Sequence, residues 1–160
     1  MPPGLERRGS GAGQLRFGTH NVRCLLGPQN GNTVSPVKLR ALKRTWDRLG
    51  LHVVFIQEHR IVGPFRRAAA ERLFAGWKVF WCMNCTGAGT SSGHGSAGVM
   101  IMVRKRLLES GALKIDEGSI QPAATVSTDG RLLSVNAEWG GHKLQLASVY
   151  KRGRSAAALH

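Results

Sequence analysis

Two short runs of apolar residues constrain the fold of this chain more than any other feature. The first lies between His52 and Gln57 and reads H-V-V-F-I-Q, and the second spans Gly98 to Val103 and reads G-V-M-I-M-V. Continuous apolar runs of this length are typical of strands that are buried on both faces. They therefore predict the centre of a sandwich or of a covered sheet.

The other strand signals alternate between apolar and polar residues. Arg131 to Trp139 and Lys143 to Tyr150 alternate on either side of Gly140-Gly141, a pair that favours a two-residue hairpin turn. We therefore predict a hairpin here, with further strands, two of them from weaker signals, at Trp77 to Cys82, Lys114 to Glu117 and Ala124 to Ser127.

Two helices are predicted among these strands. Ser35 is placed to cap the first helix, Pro36 stands at its tolerated first position, and Gly50 is placed to end it. The second helix is expected from Phe65 to Ala75, stopped by Gly76. The first helix carries Leu39, Leu42, Trp46 and Leu49 at helical spacing, and its remaining surface carries Lys38, Arg40, Lys43, Arg44 and Arg48.

The order of these elements predicts the fold class. Strands follow one another in meander-like order with the helices inserted early, which favours an α+β or α/β sandwich over a doubly wound parallel sheet. We predict one domain over residues 14–150. A disordered lead-in over residues 1–13 precedes it, and a disordered basic tail over residues 151–160 follows it.

Net charge is the strongest signal in the composition. The chain of 160 residues has 23 Lys and Arg against 9 Asp and Glu, which gives a formal charge of +14. Such an imbalance indicates a polyanionic partner, usually nucleic acid. The alternative is a drifting, GC-rich coding sequence that accumulates arginine without selection for binding.

The cysteines and the apolar stretches of the sequence bear on metal binding and on the cellular compartment. Cys82 and Cys85 form a C-x-x-C pair with His94 nearby, but zinc sites usually need two spaced pairs, so zinc is disfavoured. Three cysteines without a secretory signal do not indicate a disulfide framework. No apolar stretch is long enough to span a membrane. We expect an intracellular protein, and a nuclear location is compatible with the sequence.

Polar residues stand at the ends of two predicted strands. Leu15, Phe17 and Thr19 alternate with polar residues, and Asn21 falls on the same parity, so these side chains are expected to point inward. Glu58 follows directly on the buried run that ends at Gln57. Rigid strand ends of this kind are suited to a precise site. The simpler alternatives are an asparagine that caps a loop and a glutamate on a solvated edge.

Four segments, taken in order, resemble a known superfamily. They are Leu15 to Arg23 (L-R-F-G-T-H-N-V-R), Val53 to Arg60 (V-V-F-I-Q-E-H-R), Ser96 to Val103 (S-A-G-V-M-I-M-V) and the hairpin from Gly130 to Tyr150. Together they resemble the N-terminal half of the endonuclease/exonuclease/phosphatase superfamily. The greatest similarity is to non-LTR retrotransposon endonuclease domains, with abasic-site endonucleases as more distant relatives. The resemblance implies a four-layered α/β sandwich, truncated after roughly its first half.

The resemblance also implies a magnesium-dependent phosphodiesterase site at the strand ends. Glu58 in the Q-E pair matches the magnesium ligand, Asn21 matches the asparagine beside the metal and the reactive phosphate, and Tyr150 matches the tyrosine that contacts that phosphate. Tyr150 is otherwise an ordinary hairpin residue, and His59 and His94, which have no evident carboxylate partner, are expected at the surface. The residues expected to contact nucleic acid, with DNA as the expected form, are Arg23, Arg60, Lys151 and Arg152.

The sequence departs from the family pattern after Tyr150. Lys151, Arg152 and Gly153 stand where the family typically has Ala-Pro-Asn, and the family's Asp-x-Asn segment and late Asp-His pair have no counterpart. A general base needs to lie within reach of the attacking water, and none can be named. We therefore expect a domain of low or no activity with exposed sheet edges. The alternatives are a non-catalytic basic module that binds nucleic acid and a relic open reading frame.

Overall fold

A computed structural model describes residues 13–25, 34–61, 63–82, 98–121 and 130–150 of the chain. These residues form seven strands and three helices, and within them no helix has the length and apolar character that crossing a membrane requires. In chain order the elements are β1 (Phe17–Asn21), α1 (Pro36–Arg48), β2 (Val53–Gln57), α2 (Pro64–Leu73), β3 (Trp77–Trp81), β4 (Val99–Arg104), α3 (Lys105–Glu109), β5 (Leu113–Gln121), β6 (Leu132–Trp139) and β7 (His142–Val149).

The strands form two sheets. The first sheet has the order β1-β2-β4-β3, in which β1 and β2 are parallel and the other neighbours are antiparallel. The second sheet is an antiparallel meander, β5-β6-β7. The prediction of a mixed α/β sandwich, rather than a doubly wound parallel sheet, is confirmed.

The two apolar runs lie at the centre of the first sheet, as predicted. On one face of this sheet, Val54 and Ile56 of β2 and Met100 and Met102 of β4 pack with apolar residues of α1 and α2. On the opposite face, the alternate residues of β2 and β4 pack against the second sheet. Each run is covered on both sides because successive side chains of a strand point in opposite directions.

Helix α1 is held on the sheet by its apolar side. Leu39, Leu42 and Trp46 are buried, and the Trp46 ring meets the Trp77 ring edge to face with their centroids 5.7 Å apart. The predicted cap is present, because the Ser35 hydroxyl accepts a hydrogen bond of 3.4 Å from the Lys38 amide. At the other end Gly50 has a positive φ of 60°. Such a conformation suits glycine just beyond a helix.

The described residues supply three of the four layers that the resemblance implies. Helices α1 and α2 form the first layer, and the two sheets form the second and third. Among these residues no helix covers the outer face of β5-β6-β7, where Lys114, Asn136 and Gln145 are exposed.

The β1 side chains that the sequence predicts to point inward are less buried than predicted. Phe17 is 48% exposed, and Thr19 and Asn21 are also exposed. These side chains do lie on the side of the second sheet, since the Phe17 ring stacks on that of Phe55. They stay exposed because β1 is an edge strand and the described part of the second sheet does not cover it.

Other predictions need smaller corrections. His59 was expected at the surface, but it is only 1% exposed. The basic stretch after β4 begins the short helix α3, which was not predicted, and the weak signal at Lys114 to Glu117 belongs to the longer strand β5. Helix α2 ends at Leu73, two residues before its predicted end.

Several predictions fall outside the described residues. They are the lead-in up to residue 12, the tail over residues 151–160 with Lys151 and Arg152, the strand at Ala124 to Ser127, and the cysteine and histidine at Cys85 and His94.

Candidate active site

Three strand ends bring the predicted site residues together. Strands β1 and β2 are parallel and in register from Phe17↔Val53 to Asn21↔Gln57, so Asn21 and Glu58 emerge at the same edge of the sheet. Strand β7 packs on β2 from the second sheet, and Tyr150 follows its last residue. Residues from three distant parts of the chain therefore meet at one place.

Glu58 is the centre of this group. The Asn21 side-chain amide donates a hydrogen bond of 2.7 Å to its carboxylate. This bond lowers the pKa of the Glu58 carboxyl below its ordinary value, and a hydrogen bond with the Tyr150 hydroxyl and the charges of Arg60 and Arg23 lower the pKa further. Glu58 is therefore ionised at neutral pH, and the charges of two guanidinium groups act on it.

The backbone around Glu58 is strained. In the described residues, the non-glycine residues with positive φ are Arg23, Cys24, Glu58 and Arg60, and all four lie in the two loops that carry the site. Such conformations cost about 1–3 kcal/mol each and cluster at functional sites, where the surrounding structure enforces them. The loops after β1 and β2 thus hold their side chains in directions that a relaxed backbone would not give.

A buried polar network supports Glu58 from below. The Gln57 side-chain amide donates to the Thr19 hydroxyl at 3.1 Å and to the Ser148 hydroxyl at 3.4 Å. The Ser148 hydroxyl donates in turn to the Ile56 carbonyl at 3.2 Å. Because Gln57 and Ser148 are buried, these bonds satisfy polar groups that water does not reach. The network links β1, β2 and β7 directly beneath the site.

His59 anchors the loop that follows β2. Its Nδ1 atom accepts a hydrogen bond of 2.9 Å from the Ile61 amide, and its ring lies edge-on to Trp81 with centroids 5.2 Å apart. Burial lowers the pKa of His59 to about 3, so the ring is neutral at physiological pH. A buried neutral imidazole cannot reach a water at the surface, so His59 has a structural place here.

Lys38 is a part of the site that the sequence did not indicate. It was counted among the outward basic residues of α1, yet its ammonium group donates to the carbonyls of Val22 at 2.5 Å and Cys24 at 2.6 Å. These bonds fasten the strained turn after β1 to the first turn of the helix. No sequence signal distinguishes Lys38 from its solvated neighbours Arg40 and Arg44.

The donor set at this site fits a hard divalent cation only in part. Magnesium is commonly held by one or two carboxylates with water and substrate phosphate, and Glu58 supplies one ionised carboxylate. The Asn21 side-chain oxygen accepts a hydrogen bond of 3.0 Å from the Arg23 amide, so this oxygen is engaged within its own loop. Among the described residues no group of three or more His, Cys, Asp and Glu side chains gathers around a common point.

The remaining predicted residues divide into two groups. Arg23 and Arg60 lie beside Glu58, close enough for their charges to lower its pKa. Lys151 and Arg152 follow Tyr150 outside the described residues. Cys82, one half of the C-x-x-C pair, is buried in the core between the sheets, and its partner cysteine lies outside the described part.

The solved structures to which the chain is similar include two structures of one protein. The chain is similar to D. rerio TDP2 complexed with single strand DNA product, with 21% identity and a TM-score of 0.47 over 74% of this chain and 40% of that chain. It is also similar to D. rerio TDP2 humanized by 14 mutations, with 21% identity and a TM-score of 0.49 over 83% of this chain and 45% of that chain.

TDP2 is a member of the endonuclease/exonuclease/phosphatase superfamily. The chain spans less than half the length of these structures. No protein-family model matches the sequence, and no curated protein matches it. A likeness at this level carries no assignment of activity.

Proposed function

We propose that this chain carries the N-terminal part of a metal-dependent phosphodiesterase site of the endonuclease/exonuclease/phosphatase type, with nucleic acid as its substrate. The observation that carries the proposal is the convergence of Asn21, Glu58 and Tyr150 on one another, in the order and at the strand ends that the family motifs predict. The kinship with non-LTR retrotransposon endonucleases remains a prediction from the sequence motifs.

Each side chain has a distinct part in the proposed site. Glu58 is the metal ligand, and Asn21 fixes the direction of its carboxylate through the 2.7 Å hydrogen bond. A bound divalent metal would polarise a phosphoryl oxygen and offset the charge on the leaving group. The Tyr150 hydroxyl and the guanidinium groups of Arg23 and Arg60 contact the phosphate, since charge-assisted hydrogen bonds to phosphate are strong and directional.

A second function is favoured by a specific observation. Within the described residues no group of three or more His, Cys, Asp and Glu side chains gathers at the site, and His59 is buried. With its excess of cationic residues, a chain of this kind binds nucleic acid without cutting it. In this alternative the partner is again nucleic acid, but the chain does not cleave it.

Plasmid nicking separates the two functions. If the site is catalytic, we expect the purified chain to convert supercoiled DNA slowly to the nicked form in Mg²⁺ and to leave it intact in EDTA. Glu58→Gln removes the charge of the proposed ligand with little change in shape, so nicking should fall to background. Tyr150→Phe should retain partial activity, because it removes one hydroxyl and leaves the metal ligand in place.

The matched control is Glu117→Gln, which removes an exposed carboxylate on β5, far along the chain from the site. This variant should nick like the parent chain. If the parent does not nick but binds DNA with steep salt dependence, the binding module is the correct function. Nicking that Glu58→Gln leaves unchanged would contradict the proposed site itself.

A further inference from the structure

A second basic region lies at the end of the first sheet opposite to Glu58. The last turn of α1, the turn before β3, the end of β4 and helix α3 meet there and line a groove of about 480 Å³. Its size suits a small polar ligand or a segment of a larger one. The side chains that line it include Asp47, Arg104, Lys105, Arg106 and Glu109.

Arg104 forms the fixed wall of this groove. Its Nε atom donates to the Leu51 carbonyl at 3.0 Å, and its guanidinium group lies 3.9 Å from the centroid of the Trp77 ring. The same guanidinium group forms an ion pair with Asp47. One of the two lining carboxylates is therefore already neutralised, and a rigid planar cation remains at the edge of the groove.

Lys105 and Arg106 also line the groove, and the guanidinium group of Arg16 borders it beside Gly50. The ion pairs found within the described residues involve Lys78, Arg104 and Lys114, and none of them involves Arg16, Lys105 or Arg106. These three residues are exposed. The groove holds more cations than carboxylates even with Glu109 counted, and such an excess creates a positive potential that attracts anions.

His52 lies close to this group of cations. Its Nδ1 atom accepts a hydrogen bond of 3.1 Å from the Arg16 amide, which places the ring among the arginines. Burial lowers the pKa of His52, and the charges of Arg106, Arg16 and Arg104 lower it further. A proton on this ring is disfavoured because it would add one more positive charge to the cluster.

We propose that this groove binds a phosphate of a nucleic acid strand, as a second contact remote from Glu58. The choice of nucleic acid as the partner rests on the proposed function. The case for an anion-binding groove rests on the residues that line it. Strand β2 separates the two sites by roughly 17 Å, at about 3.3 Å per residue. The exposed edge strand β1 runs between them, from Arg16 at the groove to Arg23 beside Glu58.

Fluorescence anisotropy with a labelled 14-base-pair duplex in EDTA tests this contact without cleavage. We expect the double variant Arg16→Ala with Arg106→Ala to raise the dissociation constant roughly tenfold. It should also lower the slope of affinity against salt by about 0.9 for each phosphate that the variant no longer neutralises. The control is Lys114→Ala with Lys143→Ala, which makes the same charge change on the outer face of the second sheet. It should change the dissociation constant less than twofold.

Equal weakening in both double variants would overturn the groove in favour of diffuse attraction. Competition by ATP or inorganic phosphate as tight as that of the duplex would overturn the assignment to a strand. If the variants and the parent chain unfold at the same temperature, misfolding is excluded as the cause of weaker binding. Nicking by the parent chain together with unchanged binding by the Arg16 and Arg106 variant refutes the groove alone. If the Arg16 and Arg106 variant binds the duplex more weakly but the parent chain does not nick DNA, only the proposed catalysis is refuted.

Discussion

Gly98 packs directly on the imidazole of His59, at the base of the candidate site. A Cβ atom at this position would lie 2.8 Å from two atoms of the ring, and the backbone has a φ of +121°. Gly98→Ala therefore combines a steric clash with backbone strain. We expect it to lower the free energy of unfolding by about 2–4 kcal/mol in urea denaturation.

The control for this substitution is Gly141→Ala. Gly141 has a φ of +80°, but an added Cβ there would meet no atom within 4 Å. It should cost only about 1 kcal/mol, since it adds strain without a clash. Equal costs for the two variants would mean that the contact with His59 is unimportant.

The buried neutral His59 makes stability dependent on pH. Its pKa is about 3 in the folded protein against an ordinary value of 6.5, so between these values the unfolded chain binds the extra proton. Stability is therefore retained above pH 6.5 and falls on acidification, with a slope of up to about 1.4 kcal/mol per pH unit.

Urea denaturation between pH 5 and 6.5 measures this slope. This window lies above the range in which Glu58 titrates, because the pKa of Glu58 is itself lowered. His52 contributes in the same direction, since its pKa is also lowered, so His52→Gln serves as the comparison. His59→Gln should flatten the slope more than His52→Gln does. A slope that persists in His59→Gln would contradict the account of this residue.

At the residue scale, the sequence indicated the polar groups but not their supports. Asn21 and Glu58 could be identified because each ends a recognisable strand within a family motif. The positive φ of Glu58 and Arg60 could not be predicted, since non-glycine residues rarely adopt such a φ and no residue type indicates it. Lys38 was missed for a related reason, because its function depends on a turn contributed by another part of the chain.

At the scale of elements, β2 and β7 are joined by a polar contact inside an otherwise apolar interface. Ser148 donates to the Ile56 carbonyl and accepts from Gln57, and it is 1% exposed. Ser148→Ala leaves both groups buried without this partner. We expect a decrease of about 1–3 kcal/mol in the free energy of unfolding, measured by urea denaturation.

Ser110→Ala provides the comparison for this variant. The Ser110 hydroxyl donates to the Leu107 carbonyl at 3.2 Å, but the residue is exposed, so water replaces the missing bond. Its cost should stay below about 0.5 kcal/mol. A similar small cost for Ser148→Ala would show that water reaches the interface between the sheets.

Most elements were predictable because their signals are local. The apolar runs of β2 and β4 and the Ser35-Pro36 start of α1 each combine a periodic pattern with a boundary residue. Helix α3 has five residues, too few for a helical period to emerge. The exposure of β1 was not predictable, because alternation predicts which side of a strand is apolar but not whether another layer covers it.

At the scale of the whole molecule, the described part leaves apolar surface near an open sheet edge. Phe17 is 48% exposed on β1, which is one of the two edge strands of the first sheet. Exposed edges with apolar side chains pair with other chains. We expect concentration-dependent self-association in light scattering at moderate salt, and we expect Phe17→Lys to reduce it.

Phe65→Lys is the matched control, because Phe65 is 87% exposed but lies on helix α2 and not on a strand. It should leave the association nearly unchanged. Equal suppression by both variants would attribute the association to general surface hydrophobicity or charge instead of to the edge of β1.

The most direct test of the account is whether Glu58 holds a divalent cation. Mg²⁺ is titrated into isotope-labelled protein, and binding is followed through the amide NMR shifts. This measurement detects metal binding whether or not the site can activate a water molecule. We predict saturable shifts confined to residues near 21–24 and 58–60, retained in Glu117→Gln and abolished in Glu58→Gln. Shifts that survive in Glu58→Gln, or that spread over the acidic residues of the second sheet, would contradict the proposed metal site.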